Sequence, residues 1–600
     1  MKGHSTFGVM ALAFALLLAG CSGGSSSSDS GSSTGGAAPA SNPSSASSPT
    51  GASTPSGASS PSGASSPSGA SSPSGASSPS GASSPSGASN PTTSQPSAAT
   101  PADVTTYHND IRRTAQQLSE TRLAPANVNA TTFGKIGFYT VDGAVDAQPL
   151  FLGSVPIAGG THNVLYVATE AGSVYAFDAD TGTVLWRVTT LPTGEVPSDD
   201  HGCNQTTPTI GITATPVIDR TRGPNGTIYV VAMSKDTGGA YHQRLHALDI
   251  ATGAELLNGP TEITGSYPGT GSGSVNGVVP FTPGQYIERA SLLLLNGVVY
   301  TAWSSHCDAL PYTGWVISYN ADTLKQAGVL NVTPNGEMGG IWMSGAGLAS
   351  DGTSVYFLDG NGTFDPTTNA QDMPNKGDFG NGFLKVSPTP TLHVADYFEP
   401  SDTVAQSNAD LDLGSGGVLV LPDLTDINGN VRHLAVGGGK TRALFIVNRD
   451  SMGNFDSNGD HIYQELFSTI FGPMFSAPAF YNNTVYVGPA GDHLKAIPVV
   501  NAVFATTASS QSAQTWSFPG LAPVISASGN TNGIVWGVEN GTAIGILHAY
   551  DAGNLATELY NSNQSGTRDQ FGSNKFISPM IANGKVYVGT KTGVAVFGPR

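Results

Sequence analysis

Two short stretches carry the side chains best suited to chemistry. "DDHGCNQT" holds His201 and Cys203, and "SSHCDALPYTGW" holds His306 and Cys307. Two sulfurs and two imidazoles offer a disulfide, a soft-metal site for Zn or Cu, or free thiols. The tight "HxC" and "HC" spacings match no familiar zinc cage. For an exported chain, an even cysteine pair is most simply a disulfide. Closing a loop of about 100 residues would contribute on the order of 4 kcal/mol through chain entropy. Oxygen donors collect elsewhere, on long polar insertions that carry Asp308, Asp365, Asp378, Asp410 and Asp412. These read first as a solvated acidic rim, with Ca2+ coordination by some of them as the sharper alternative.

Three other motifs fail on their spacing. "DSNGDHIYQE" places Asp456, Asn458 and Asp460 at positions one, three and five of a calcium loop. Position six is His461 rather than Gly, and no Glu follows at twelve, so the stretch reads as an extended hairpin turn. "GGGKTRA" from Gly437 lacks the upstream glycine of a phosphate loop, and "GSGSVNG" lacks the strand-turn-helix setting of a nucleophile elbow. No catalytic residue is expected.

The elements that must position these loops are short strands. "VLYVATEAGSVYAFDADTGTVLW", from Val164 to Trp186, reads as strand, turn, strand, Asp-rich turn, strand. The pattern returns seven more times at spacings of roughly 40–70 residues. First strands include "AQPLFL", "TATPVI", "FSAPAFY" and "ISPMIA"; second strands include "TIYVVA", "VVYTAW", "TVYVGP" and "KVYVGT". The last unit, "FISPMIANGKVYVGTKTGVAVFG", stops after three strands, and "GKIGFYTVDG" at Gly134 can supply its fourth. Four-stranded units that repeat and close on themselves predict an all-β, eight-bladed propeller of antiparallel blades over residues 133–600. In that architecture the loops of Cys203 and Cys307 emerge on one face. Residues 101–132 form a lead-in segment. Asp178, Thr181, Gly182 and Trp186 read as structural, shaping a turn and packing between blades.

The chain has 600 residues, a net charge of −18 and only 11% charged residues, with 77 Gly and 40 Pro. That acidity disfavours nucleic acid and anionic membrane surfaces as partners. At the N-terminus, Lys2 precedes an apolar run from Phe7 to Leu18, the pattern of a secretory signal over residues 1–20. "LAGC" resembles the lipobox of bacterial lipoproteins. The resemblance implies cleavage before Cys21, palmitate-class acylation of its thiol and attachment to the cell envelope, with Ser22 favouring the outer membrane. Residues 21–100, with "SPSGAS" repeating and prolines six apart from Pro55 to Pro91, read as a disordered linker.

"VYAFDADTGTVLW" and "LHALDIATGAEL" resemble the tryptophan-docking repeat of the pyrroloquinoline quinone (PQQ) propeller superfamily, and "YHNDIRRTAQQLSETRLAPANV" resembles the segment before its first blade. The resemblance covers about residues 105–600. It implies an eight-bladed propeller and admits a PQQ-dependent dehydrogenase. The dehydrogenase branch adds two adjacent cysteines against the quinone, a nearby Ca2+ and an Asp base, and this chain has no adjacent cysteine pair. The expectation is therefore a lipid-anchored, noncatalytic scaffold that binds a protein or small ligand on its loop face, without a cofactor. A quinone-dependent dehydrogenase with a divergent PQQ and Ca2+ site is the alternative.

Overall fold

The structure is a computed structural model and describes residues 103–600 except 205, 207, 541 and 542. The signal sequence, Cys21 and the linker lie outside the described residues.

Apolar runs bounded by Gly, Asn and Asp turns become blades because each short strand can bury both faces between neighbouring blades. Blade 1 consists of Leu150–Ile157, Gly160–Ala168, Ser173–Asp178 and Val184–Thr189, joined antiparallel in that order. Its third strand is buried at every position, whereas the fourth, outermost strand is exposed or half-exposed. Sheets with the same order recur through residues 217–262, 293–331, 349–398, 419–466, 479–515 and 524–561. Blade 8 is assembled from both ends of the propeller. Met580–Ala582, Lys585–Gly589 and Gly593–Pro599 supply three strands, and Phe133–Thr140 pairs antiparallel with Gly593–Pro599 as the fourth. The ring closes as the sequence predicts.

A tyrosine in the second strand ties each of several blades to the next. The hydroxyl of Tyr166 in blade 1 donates to the Ile250 carbonyl of blade 2 at 3.0 Å. Tyr229 donates to Ala321 of blade 3 at 2.6 Å, and Tyr486 of blade 6 donates to Ala552 of blade 7 at 2.8 Å. At the seam, Tyr139 and Tyr587 of blade 8 both reach the Ala179 carbonyl of blade 1. Each acceptor follows the third strand, where an Asp or Asn opens the turn: Asp178 accepts from the backbone N–H groups of Asp180 and Thr181, and Asp249 from those of Ala251 and Thr252. Gly182 takes φ +77° in this turn, and a Cβ there would lie 2.5 Å from the Tyr139 ring. Trp186 carries its indole N–H to the same Ile250 carbonyl. The residues of the repeat are thus interblade contacts, as expected.

Removing one such hydroxyl leaves a buried carbonyl short of a donor. Tyr229→Phe should destabilise the protein by about 1–2 kcal/mol in urea denaturation, whereas Tyr463→Phe, outside this set, should change it by less than about 0.5 kcal/mol.

Candidate functional site

The lead-in segment does more than precede the propeller: it threads the central channel. Val104 exchanges backbone hydrogen bonds with Phe151 in the inner strand of blade 1. The carbonyls of Thr105, Ile111, Arg112, Thr114 and Ala115 then accept from the N–H groups of Ile218, Ser350, Val420, Phe480 and Ile525, on the inner strands of blades 2, 4, 5, 6 and 7. Gln116–Gln117 pairs parallel with the inner strand of blade 7. Blade 3 is reached by Arg113, and blade 8 by Glu120, whose carboxylate accepts from the Gly584 N–H at 2.7 Å. All eight blades are engaged by one stretch of fewer than 20 residues. Unpaired strand edges invite association with other chains, and this segment covers them.

Arg113 is the pivot of the plug. It is fully buried; its Nε donates to the Leu348 carbonyl, Nη2 to the Leu292 carbonyl, and Nη1 to Thr106 Oγ1 and the Tyr107 carbonyl, all at 2.6–3.0 Å. Burial lowers its pKa to about 10, so it stays charged at neutral pH. Beside it, burial and then the Arg113 charge push His108 down to about 3, leaving a neutral ring stacked on Tyr107. Gly347 makes room for the guanidinium, which a Cβ would approach to 2.7 Å.

Above the plug, aromatic side chains from four loops cover the channel mouth. Phe475 meets Phe518 at 4.9 Å, Phe518 meets Phe576 at 5.8 Å, and Phe576 meets Trp342 at 5.9 Å, each edge to face. The buried Arg289 guanidinium lies 5.5 Å from both the Trp342 and the Phe576 ring. The gap left among Tyr107, Ser344, Phe475 and Phe576 has room for about one water.

Two buried acid pairs flank this region, and both escaped the sequence reading. Glu170 follows the second strand of blade 1 and accepts from the Gly211 N–H at 2.7 Å. Burial and then the Asp146 carboxylate hold its pKa well above the usual range, while Asn574 donates to Asp146 at 2.6 Å. Asp359 directly follows the second strand of blade 4 and accepts from the Gly382 N–H at 2.6 Å; Glu399 accepts from Thr403 at 2.9 Å. Burial raises both, with Asp412 adding to the rise of Asp359 and Asp359 to that of Glu399. One buried oxygen of each of the four carboxyls finds no donor among the described residues. The available signal was positional: "YVATE" and "YFLD" each end a buried second strand in a carboxylate.

The four sulfur and imidazole side chains do come together. Cys203 and Cys307 form a disulfide with Cα atoms 5.7 Å apart, which overturns the free-thiol reading and removes both sulfurs as metal ligands in this state. Asp200 shapes the Cys203 turn by accepting from the Gly202 and Asn204 N–H groups. The His201 and His306 rings lie 4.6 Å apart, and burial followed by the His201 charge pushes His306 down to about 4. The rim acids fall into two groups, Asp308 with Asp410 and Asp412 near Lys440, and Asp365 with Asp378. Asp308 accepts from Tyr312, Asp365 from Thr367 and the Lys376 N–H, and Asp378 from the Asn335 N–H; Asp410 and Asp412 share Lys440. Among the described residues, no group of three or more His, Cys, Asp or Glu side chains is arranged to hold a metal ion. Asp456 takes Asn458 and His461 as partners within an exposed turn of blade 5.

Residues 112–258 match the family model described as outer membrane protein assembly factor BamB. Among solved structures, the chain is similar to the quinohemoprotein alcohol dehydrogenase of Comamonas testosteroni, with 14% identity over 83% of this chain and 80% of that one and a TM-score of 0.53. It is also similar to the quinohemoprotein alcohol dehydrogenase ADHIIG of Pseudomonas putida HK5, with 12% identity over 83% and 80% and a TM-score of 0.52. No curated protein matches the chain in sequence. At these identities the likeness is one of fold, and the fold is that of the eight-bladed propellers built from PQQ-like repeats.

Two outcomes follow from this geometry. Arg113→Met should strand several buried carbonyls, cost about 3 kcal/mol or more, and expose residues 103–120 to limited proteolysis while the blades stay resistant. For the acid pair, raised folded-state pKa values mean that stability is greatest below the unfolded carboxyl range and declines as pH rises toward the folded values. Glu399→Gln removes one of the retained protons. Its urea midpoint should therefore fall less steeply than that of the wild type between about pH 5 and pH 8; parallel slopes would show that Glu399 is ionised in the folded protein.

Proposed function

We propose that this chain is an exported, membrane-anchored lipoprotein whose propeller is a noncatalytic scaffold, binding a protein or small-ligand partner on its loop face. The observation that carries the reading is the filled channel. The axis, where a propeller would hold a ligand, is occupied by the chain's own residues 103–120 from one side and capped by aromatic rings on the other. The long insertions then offer the working surface, loops displayed on a rigid support. The family match over residues 112–258 agrees with a scaffold role. The "LAGC" sequence supports acylation at Cys21 and residence in the cell envelope, at the outer membrane, and the repetitive linker over 21–100 supplies reach.

The fold relatives are named as quinohemoprotein dehydrogenases, so the fit of a quinone matters. PQQ is a flat, multi-ring group. The channel mouth does not fit it: the Trp342 and Phe576 rings pack against each other with the Arg289 guanidinium beside both, and the remaining gap holds about one water. The acid pair Asp146 and Glu170 offers oxygen donors, but Asn574 and the Gly211 N–H already engage them.

Crosslinking in intact cells followed by pull-down should capture a discrete partner, and substitutions in the loop-face insertions should abolish that capture without unfolding the blades. Reduction of a dye by the purified protein with PQQ, Ca2+ and an alcohol or sugar would overturn the scaffold reading. Cys21→Ala should move the protein from the membrane fraction to the soluble fraction; unchanged membrane association would remove the lipid anchor from the account.

A further inference from the structure

The disulfide brings His201 and His306 together as well as the sulfurs, and nothing in the scaffold reading uses the histidines. A carboxylate stands near one of the rings, as it often does at metal-bound histidines. His201 Nδ1 lies 3.8 Å from the Asp199 carboxylate, which is itself held by Lys235 at 3.0 Å and by the Tyr241 hydroxyl at 3.2 Å. The His306 ring is buried beside the His201 ring. The two loops are each fixed independently of the disulfide: Asp200 organises residues 200–204, and the Ala309 N–H closes the turn on the His306 carbonyl.

We propose that His201, Cys203, His306 and Cys307 form a two-state site on the loop face: a disulfide when oxidised, and a tetrahedral Cys2His2 site for Zn2+ when a dithiol has reduced it. In the reduction, a thiolate of the dithiol attacks one protein sulfur and breaks the Cys203–Cys307 bond. The dithiol's second sulfur completes the exchange, so that two electrons pass to the protein and the dithiol leaves as its own disulfide. The two cysteine thiols then release their protons to solvent as the metal binds. Four ligands of this kind are those of a closed structural zinc site. With Zn–S bonds of about 2.3 Å, tetrahedral geometry places the two sulfurs about 3.7 Å apart. Side-chain rotation alone meets that separation when the Cα atoms stand 5.7 Å apart. The site converts the redox state of the surroundings into a change in the loops that bridge blades 1 and 3.

The probe is Co2+, whose thiolate absorption reports sulfur ligation, with Zn2+ as competitor. Full-length protein reduced by a phosphine and desalted without oxygen should bind one Co2+ per chain, displaced by Zn2+, while the oxidised protein binds at least about 100-fold more weakly. Cys203→Ser and His201→Ala should each lose the site, and Asp199→Asn should weaken it about tenfold or more. His201 is partly exposed, so its variant tests the ligand role should the cysteine variant fold poorly. Absence of saturable Co2+ binding after reduction, equal binding by the oxidised protein, binding unaffected by His201→Ala, or loss of near-ultraviolet circular dichroism on reduction would each overturn the proposal.

Discussion

Neighbouring blades meet through side chains, and at four of the interfaces a tyrosine hydroxyl donates to the turn carbonyl of the next blade. Tyr166, Tyr229 and Tyr486 make the bond within the ring, and Tyr139 and Tyr587 make it across the seam. Each bond fixes the distance between two sheets at a point where both partners are buried, so an unmade bond would cost more than a made one contributes. The Asp or Asn that opens each turn holds the acceptor in place, and Gly182 and Gly253 clear space for the rings of Tyr139 and Trp186. Because the last blade uses the same contact on the first, closure needs no separate device.

A closed ring creates a second constraint, an axis lined by eight inner strands. The chain meets it with its own lead-in segment, whose carbonyls accept from most of those strands and whose Arg113 and Glu120 side chains reach blades 3 and 8. A guanidinium suits this position because its fork of donors spreads one charge over several carbonyls. The plug and the aromatic cap make the axis structural and leave chemistry and recognition to the loop face, where the disulfide joins loops from either side of blade 2.

Much of this was legible in the sequence because it is repeated. The tyrosine, the Asp-x-x-Thr-Gly turn and the complementary deficit of the two ends appear as patterns, and they gave the ring, its strand order and its seam. The cysteine pairing was legible because both loops belong to classes that share a face. The plug was not: its hydrogen bonds run from backbone to strands far away in sequence, and Arg113 looks like any polar residue of a lead-in. The aromatic cap was scattered singly, although Trp342, Phe475, Phe518 and Phe576 each shortly precede a first strand. Glu170 and Glu399 owe their raised pKa values to burial and then to Asp146 and Asp359, neighbours distant in the chain that no local pattern records.

The scaffold account depends on the plug being resident, because an empty axis would reopen the channel to a ligand. Hydrogen–deuterium exchange across residues 103–120 of the native protein measures this directly. The account predicts that the amides of Val104, Arg113 and Ala115, all hydrogen-bonded, exchange as slowly as those of the blade strands. Exchange of these amides as fast as in an unstructured chain would contradict it.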